Sequence, residues 1–135
     1  MKFNFTSQIC TTKEQSERLL ALGLKKETAD CHYEGRKNRY EEWEVSVIGG
    51  CYYRWDYPAW SLHRLIEMIP IAIPDKSGII HCFTIDGASD ICYYYFGEES
   101  WERWKSWSQK ELYDNIIDCI EWLIQEGHFN KEFLK

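Results

Sequence analysis

The stretch SGIIHCFTIDGASDICYYYF, residues 77–96, decides how this chain folds. Two runs rich in β-branched and aromatic residues, 77–85 and 90–96, flank Asp86-Gly87-Ala88-Ser89. Such side chains suit a pleated, half-buried surface, and an Asp-Gly pair favours a tight reversal. The segment therefore predicts an antiparallel hairpin. On its second strand Tyr93 and Tyr95 share one face and Tyr94 and Phe96 the other, so both sides of the sheet carry rings.

Working outward, SQKELYDNIIDCIEWLIQEG (108–127) predicts the longest helix. Leu112, Ile116, Ile120, Leu123 and Ile124 line one face and Asp114, Asp118, Glu121 and Gln125 the other, the spacing of an amphipathic helix. Ser108 with Glu111 reads as a capping box, and Gly127 as the stop. TTKEQSERLLALGL (11–24) predicts a first helix, with Thr12 and Gln15 as its capping box. Gly23 is its left-handed terminator, and Leu24 folds back onto Leu19. KKETADC (25–31) offers a short turn capped by Thr28. WEVSVI (43–48) alternates, and Gly49-Gly50 permits a turn into CYYRW (51–55), a second hairpin. Pro58 suits the first turn of a helix over roughly 59–68, with Leu62, Leu65, Ile66 and Ile69 as its apolar stripe and Pro70 as its stop. The expected fold is α+β: a small antiparallel sheet of hairpins carrying an N-terminal, a middle and a long C-terminal helix. No linker, repeat or low-complexity segment intervenes, so residues 1–135 are expected to form one domain.

Composition narrows the function. The chain is 44% hydrophobic and 28% charged with 8 Gly and 3 Pro, which is globular rather than disordered. Its net charge is −6. Nonspecific duplex binding draws on Lys/Arg–phosphate contacts, so no duplex DNA partner is expected. GRKNR (35–39) is the densest basic run, and it reads as a solvated loop carrying Arg36, Lys37 and Arg39. A helix, Gly turn and short helix at 11–31 faintly suggest helix-turn-helix, but without a basic recognition helix. The N-terminus has no apolar leader, and no apolar run approaches the ~20 residues of a membrane helix. Six cysteines (10, 31, 51, 82, 92 and 119) are then expected as buried thiols in a reducing cytoplasm, with no membrane partner.

Reaction chemistry finds little footing. The chain has no P-loop, GxGxxG, HExxH or GxSxG. Cys31-His32 and His81-Cys82 are the nearest approach to a metal pair, but adjacent strand residues point to opposite faces. Asp86 and Asp90 are explained by turn chemistry, and Glu98-Glu99 by a helix start. No cofactor, metal or catalytic residue is expected.

The aromatic residues remain. Seven Trp, nine Tyr and six Phe are more than a small core needs, and five rings fall in 51–60 and seven in 93–107. Trp101, Trp104 and Trp107 recur at three-residue spacing, which predicts one stripe on a helical turn. Rings of this size are efficient core fillers, yet an exposed ring cluster beside Arg is also what binding sites look like. Rings with Arg suit a nucleobase and phosphate, and equally a protein hot spot.

Three blocks, 11–31, YPAWSLHRLIEMIP (57–70) and LYDNIIDCIEWLIQEGHFNKEFL (112–134), resemble a family of small uncharacterised proteins carried by phages and prophages of gut bacteria. The resemblance covers about half of the chain and transfers no catalytic residue. It implies a small cytosolic accessory protein that binds a host protein or sequesters a nucleotide messenger of antiviral signalling. GGCYYRWD (49–56) and the cysteines are not features of that family. The leading expectation is therefore a non-catalytic binding protein, a sponge for a small nucleotide-type ligand. Tyr53, Trp55, Trp60 and Trp104 would stack on the ligand, and Arg54, Arg64 and Arg103 would hold its phosphate. The alternative is a protein-interaction module or inhibitor of a host protein using the same rings. An enzyme and a DNA-binding regulator come after these, and a homodimer through exposed rings is a further possibility.

Overall fold

The computed structural model describes residues 7–37, 43–46 and 57–135. The expected hairpin of 43–48 with 51–55 rests on residues outside this set, as do Tyr53, Arg54, Trp55 and Arg39. The fold is α+β, with two antiparallel sheets rather than the single one expected. The chain divides into two compact units, one up to Leu65 and one from Ile66.

In the first unit, helix α1 (Lys13–Ala21) has the ends the sequence predicts. Thr12 accepts from the Gln15 backbone N–H at 3.2 Å, and the Gln15 side chain accepts from Thr12 N–H at 3.0 Å. At the other end Gly23 takes a φ of 104°. Its N–H and that of Leu24 then reach the Leu20 and Leu19 carbonyls, which satisfies two end groups of the helix. Thr28 does not cap the next turn as expected. It lies inside the turn, its hydroxyl donating back to the Lys25 carbonyl at 2.7 Å.

Strands β1 (Cys31–Lys37), β2 (Trp43–Ser46) and β3 (Tyr57–Ala59) form a sheet in the order β2-β1-β3. Arg36 and Lys37 thus belong to a strand, not to the loop predicted for 35–39. Pro58 also corrects its prediction: it pairs with His32 inside β3 instead of opening a helix. An outer strand tolerates a residue that lacks an N–H. Helix α2 (Leu62–Met68) begins later. Ser61 donates both its N–H and its hydroxyl to the Asp30 carboxylate, and the Ser61 Oγ accepts from Arg64 N–H.

The second unit is a meander, β4 (Ala72–Pro74), β5 (Ile80–Asp86), β6 (Asp90–Phe96) and β7 (Trp101–Trp107), in sequential order. The predicted β5–β6 hairpin closes with Asp86 opposite Asp90 and Gly87 at φ 66°. Helix α3 (Leu112–Gln125) packs on β6 and β7. Ile116, Ile120 and Leu123 from its predicted face are buried, joined by Ile117 and Cys119 and met by Ile91 and Tyr93 from the sheet.

The largest departure is β7. Trp101, Trp104 and Trp107 sit on a strand, so their three-residue spacing does not make one stripe. β7 pairs Trp107 with Ile91 and Lys105 with Tyr93, but then Arg103 with Tyr94 and Trp101 with Phe96. Trp104 is the extra residue, a β-bulge that shifts the alternation of the strand. Trp101 and Arg103 therefore share a face with Tyr94 and Phe96, while Lys105 and Trp107 share the face of Tyr93, against which α3 packs.

Ser108 does not cap α3. Its N-cap is Glu111, without a side-chain hydrogen bond. Asn115, 1% exposed, secures this end instead. Its Nδ2 donates to the Ser89 and Lys110 carbonyls at 2.8 Å each, and its Oδ1 accepts from Lys110 N–H at 3.2 Å. Replacing it by Leu strands three backbone groups, each costing roughly 1–3 kcal/mol when unsatisfied and buried. Asn115→Leu is expected to lose about 2–4 kcal/mol in urea unfolding. A loss under about 0.5 kcal/mol, the size of an ordinary surface substitution, would show that the network does not hold the helix start.

Candidate functional site

The outer face of the four-stranded sheet, opposite α3, carries an open depression of about 430 Å³ lined by Thr84, Asp86, Cys92, Tyr94, Trp101 and Arg103. Strand parity explains the set. Thr84 pairs with Cys92 and Tyr94 with Arg103, so their side chains emerge on one side. The Trp101 ring is 63% exposed and stands edge-on to Tyr94 at 4.6 Å and to Phe96 at 4.7 Å. Arg103 reaches Asp86 at 3.4 Å, with both side chains more than half exposed. Such a pair contributes little to stability and opens readily. The Cys92 thiol is pushed up by burial, then by Asp86, with Arg103 opposing. It stays protonated at neutral pH and offers no thiolate nucleophile.

The inner face holds a different cluster. Trp122 of α3 is its hub, with Trp104 at 5.3 Å, Trp107 at 5.6 Å and His128 at 5.8 Å. His81, 2% exposed, stacks at a tilt on Trp104 at 4.5 Å and meets Tyr95 edge-on at 5.1 Å. Its Nε2 pairs with Asp75 Oδ2 at 2.8 Å, while Nδ1 has no hydrogen-bond partner among the described residues. Asp75 Oδ1 also accepts from Ser77 N–H, Ser77 Oγ and Ile79 N–H at 2.8, 2.6 and 3.1 Å. These bonds, His81 first and Ser77 next, hold the Asp75 carboxyl far below the usual carboxylate range.

Of the residues named from the sequence, Trp60, Arg64, Arg103 and Trp104 are described. Arg103 lines the outer depression and Trp104 the inner face, although they are neighbours in sequence. Trp60 is 0% exposed and belongs to the core of the first unit, which corrects its expected stacking role. Its Nε1 donates to Thr28 Oγ1 at 2.9 Å, and its N–H donates to Thr11 Oγ1 at 3.0 Å. Arg64 is half-buried on α2. Sequence reasoning missed Tyr94, Trp101 and Asp86 as members of one site. The i, i+2 spacing of Trp101 and Arg103 was the available signal, masked by the helical reading of that segment.

Cys10, Cys31, Cys92 and Cys119 are buried free thiols and Cys82 a half-buried one. Burial pushes Cys31 up to about 12. Among the described residues no group of three or more His, Cys, Asp or Glu is placed to hold a metal. No helix among them is long and apolar enough to cross a membrane. No protein family, curated protein or solved structure matches this chain.

Asp75 supplies a pH test. Its folded-state pKa lies below the unfolded value of ~3.9, so its stabilising contribution is complete above that value. It disappears as the pH falls through the folded-state value. Asp75→Asn is therefore expected to be less stable than the wild type at neutral pH, with the difference shrinking steadily below about pH 4. Urea midpoints measured across this range check it, and a pH-independent difference would contradict the bonding described.

Proposed function

We propose that the chain is a non-catalytic binding protein of the phage accessory type, and that it captures a small nucleotide-type ligand on the outer face of the four-stranded sheet. The observation that carries this reading is the exposed Trp101 ring, edge-on to the half-buried Tyr94, beside the Arg103–Asp86 pair in a depression of about 430 Å³. That volume suits a small molecule. A base stacks on the Trp101 ring, which contributes ~1–3 kcal/mol per base. Arg103 exchanges Asp86 for a phosphate, a geometry its guanidinium fork favours. Asp86, released, accepts from ribose hydroxyls. Among the described residues, Arg103 is kept from the ligand set read in the sequence; Trp101 and Tyr94 take the stacking role assigned there to Tyr53, Trp55, Trp60 and Trp104, the first two of which lie outside the described residues. The phage resemblance supplies the setting, a host cytoplasm in which a nucleotide messenger is sequestered.

A second reading has its own support. Ile80, Phe96 and Trp101 are 53%, 60% and 63% exposed, and strand parity places them on this same face. Exposed Trp and Phe beside Arg also suit a protein hot spot, of a host protein or of a second copy.

A thermal-shift series against mononucleotides, cyclic nucleotides and dinucleotides separates the two. A ligand at ~100 times its dissociation constant adds ~2.7 kcal/mol, which raises the midpoint by several degrees. Trp101→Ala and Arg103→Ala, both at exposed positions, are expected to keep the fold and lose the shift. A flat response across the panel, with host-protein capture that these substitutions abolish, would replace the ligand reading by the interface one. Light scattering on the same samples reports a dimer.

A further inference from the structure

A second recess, on the edge of the inner face, goes beyond the proposed ligand seat and does not depend on it. It has a volume of about 470 Å³ and is lined by Asp75, Lys76, Ser77, Trp104, Lys105, Trp122 and Glu126. The two indole planes meet at 83° with centroids 5.3 Å apart, so they form two sides of a corner. The Asp75 carboxylate is fixed in the wall by four hydrogen-bond contacts. Glu126 is the C-cap of α3, whose last turn carries no basic residue. The helix end is therefore uncompensated from within the helix, and its partial negative charge adds to that of Glu126.

Two lysines, Lys76 and Lys105, stand in the same walls, and Lys105 is the one placed over a ring. The Lys105 ammonium stands over the Trp122 ring at 5.8 Å, near the outer limit of a cation–π contact. A strongly hydrated ammonium on a flexible chain gains little at that distance. A methylated ammonium is larger, more weakly hydrated and apolar at its surface, so it gains more from two ring faces than Lys105 does. We propose that this recess binds quaternary or methylated ammonium groups between Trp104 and Trp122, with Asp75, Glu126 and the C-terminal end of α3 supplying the counter-charge against Lys76, and Lys105 as the competitor to be displaced.

The test follows the indole N–H resonances of Trp104 and Trp122 in nitrogen–proton correlation spectra. The probe is tetramethylammonium chloride, with sodium chloride at equal ionic strength as the control. Saturable shifts confined to these two indoles are expected, with a dissociation constant on the order of 1 mM for so small a probe. Lys105→Ala, at an exposed position, is expected to tighten binding about two- to fivefold by removing the competitor. Trp104→Leu is expected to abolish it. Choline and a trimethyl-lysine amide then distinguish a free amine from a methylated side chain, and binding of either supports the site. Absence of saturation in both wild type and Lys105→Ala overturns the proposal, even if Trp104→Leu fails to fold. Weaker binding in Lys105→Ala overturns it too.

Discussion

The single extra residue in β7 sets the character of the four-stranded unit. Without the bulge at Trp104, Trp101, Arg103, Lys105 and Trp107 would all project to one side of the sheet. With it, the strand changes parity midway, and Trp101 and Arg103 emerge outward while Lys105 and Trp107 turn toward α3. Tryptophans from the two halves of one seven-residue strand thereby serve opposite faces. Trp107 helps to seat the helix through Trp122, and Trp101 is left over as an exposed ring. A surplus of aromatic residues becomes a packed inner cluster and a separate outer platform.

The inner cluster also shows how polar groups are accommodated next to so many rings. His81 is buried, yet one of its nitrogens is tied to Asp75, and Asp75 is in turn held by a four-residue turn. Asn115 does similar work where α3 lacks a capping side chain. Asn115, itself buried, satisfies groups that the backbone leaves open, which is the condition for placing them inside at all. The first unit repeats the device with Thr11, which accepts from Trp60 N–H and lies within 2.7 Å of the Ser16 hydroxyl.

Several features governed by nearby residues were legible in the sequence, although the Thr28 and Ser108 caps, equally local, were not realised. The α1 capping box, its Gly23 terminator and the β5–β6 hairpin all depend on contacts within a few positions, and each appears as read. Pro58 and the segment 101–107 were not legible for a common reason. Proline is acceptable both at a helix start and in an outer strand, and a three-residue Trp spacing fits a helix as well as a bulged strand. Which form is realised depends on strand pairing, of Pro58 with the distant β1 and of 101–107 with the adjoining β6, and residue spacing alone does not record it. The candidate site inherits this uncertainty: Arg103 beside rings was readable, but the rings it faces are fixed by the bulge. Trp60 illustrates the complementary difficulty, because composition says how many rings exceed the needs of a core but not which ones.

The edges of the four-stranded sheet bear on how such a ring-rich chain stays apart from its copies. Among the described residues β4 and β7 are the outer strands. An open strand edge is a template on which further strands add, the first step toward fibrous association. Here β4 is three residues long and ends in Pro74, which offers no N–H to an incoming strand. β7 is longer, but Glu102, Arg103 and Lys105 place charge along it, and the bulge breaks the regular spacing of its free N–H and C=O groups. The same irregularity that sorts the tryptophans thus also spoils the edge as a growth site, so the exposed Trp101 ring can be displayed without recruiting strands beside it.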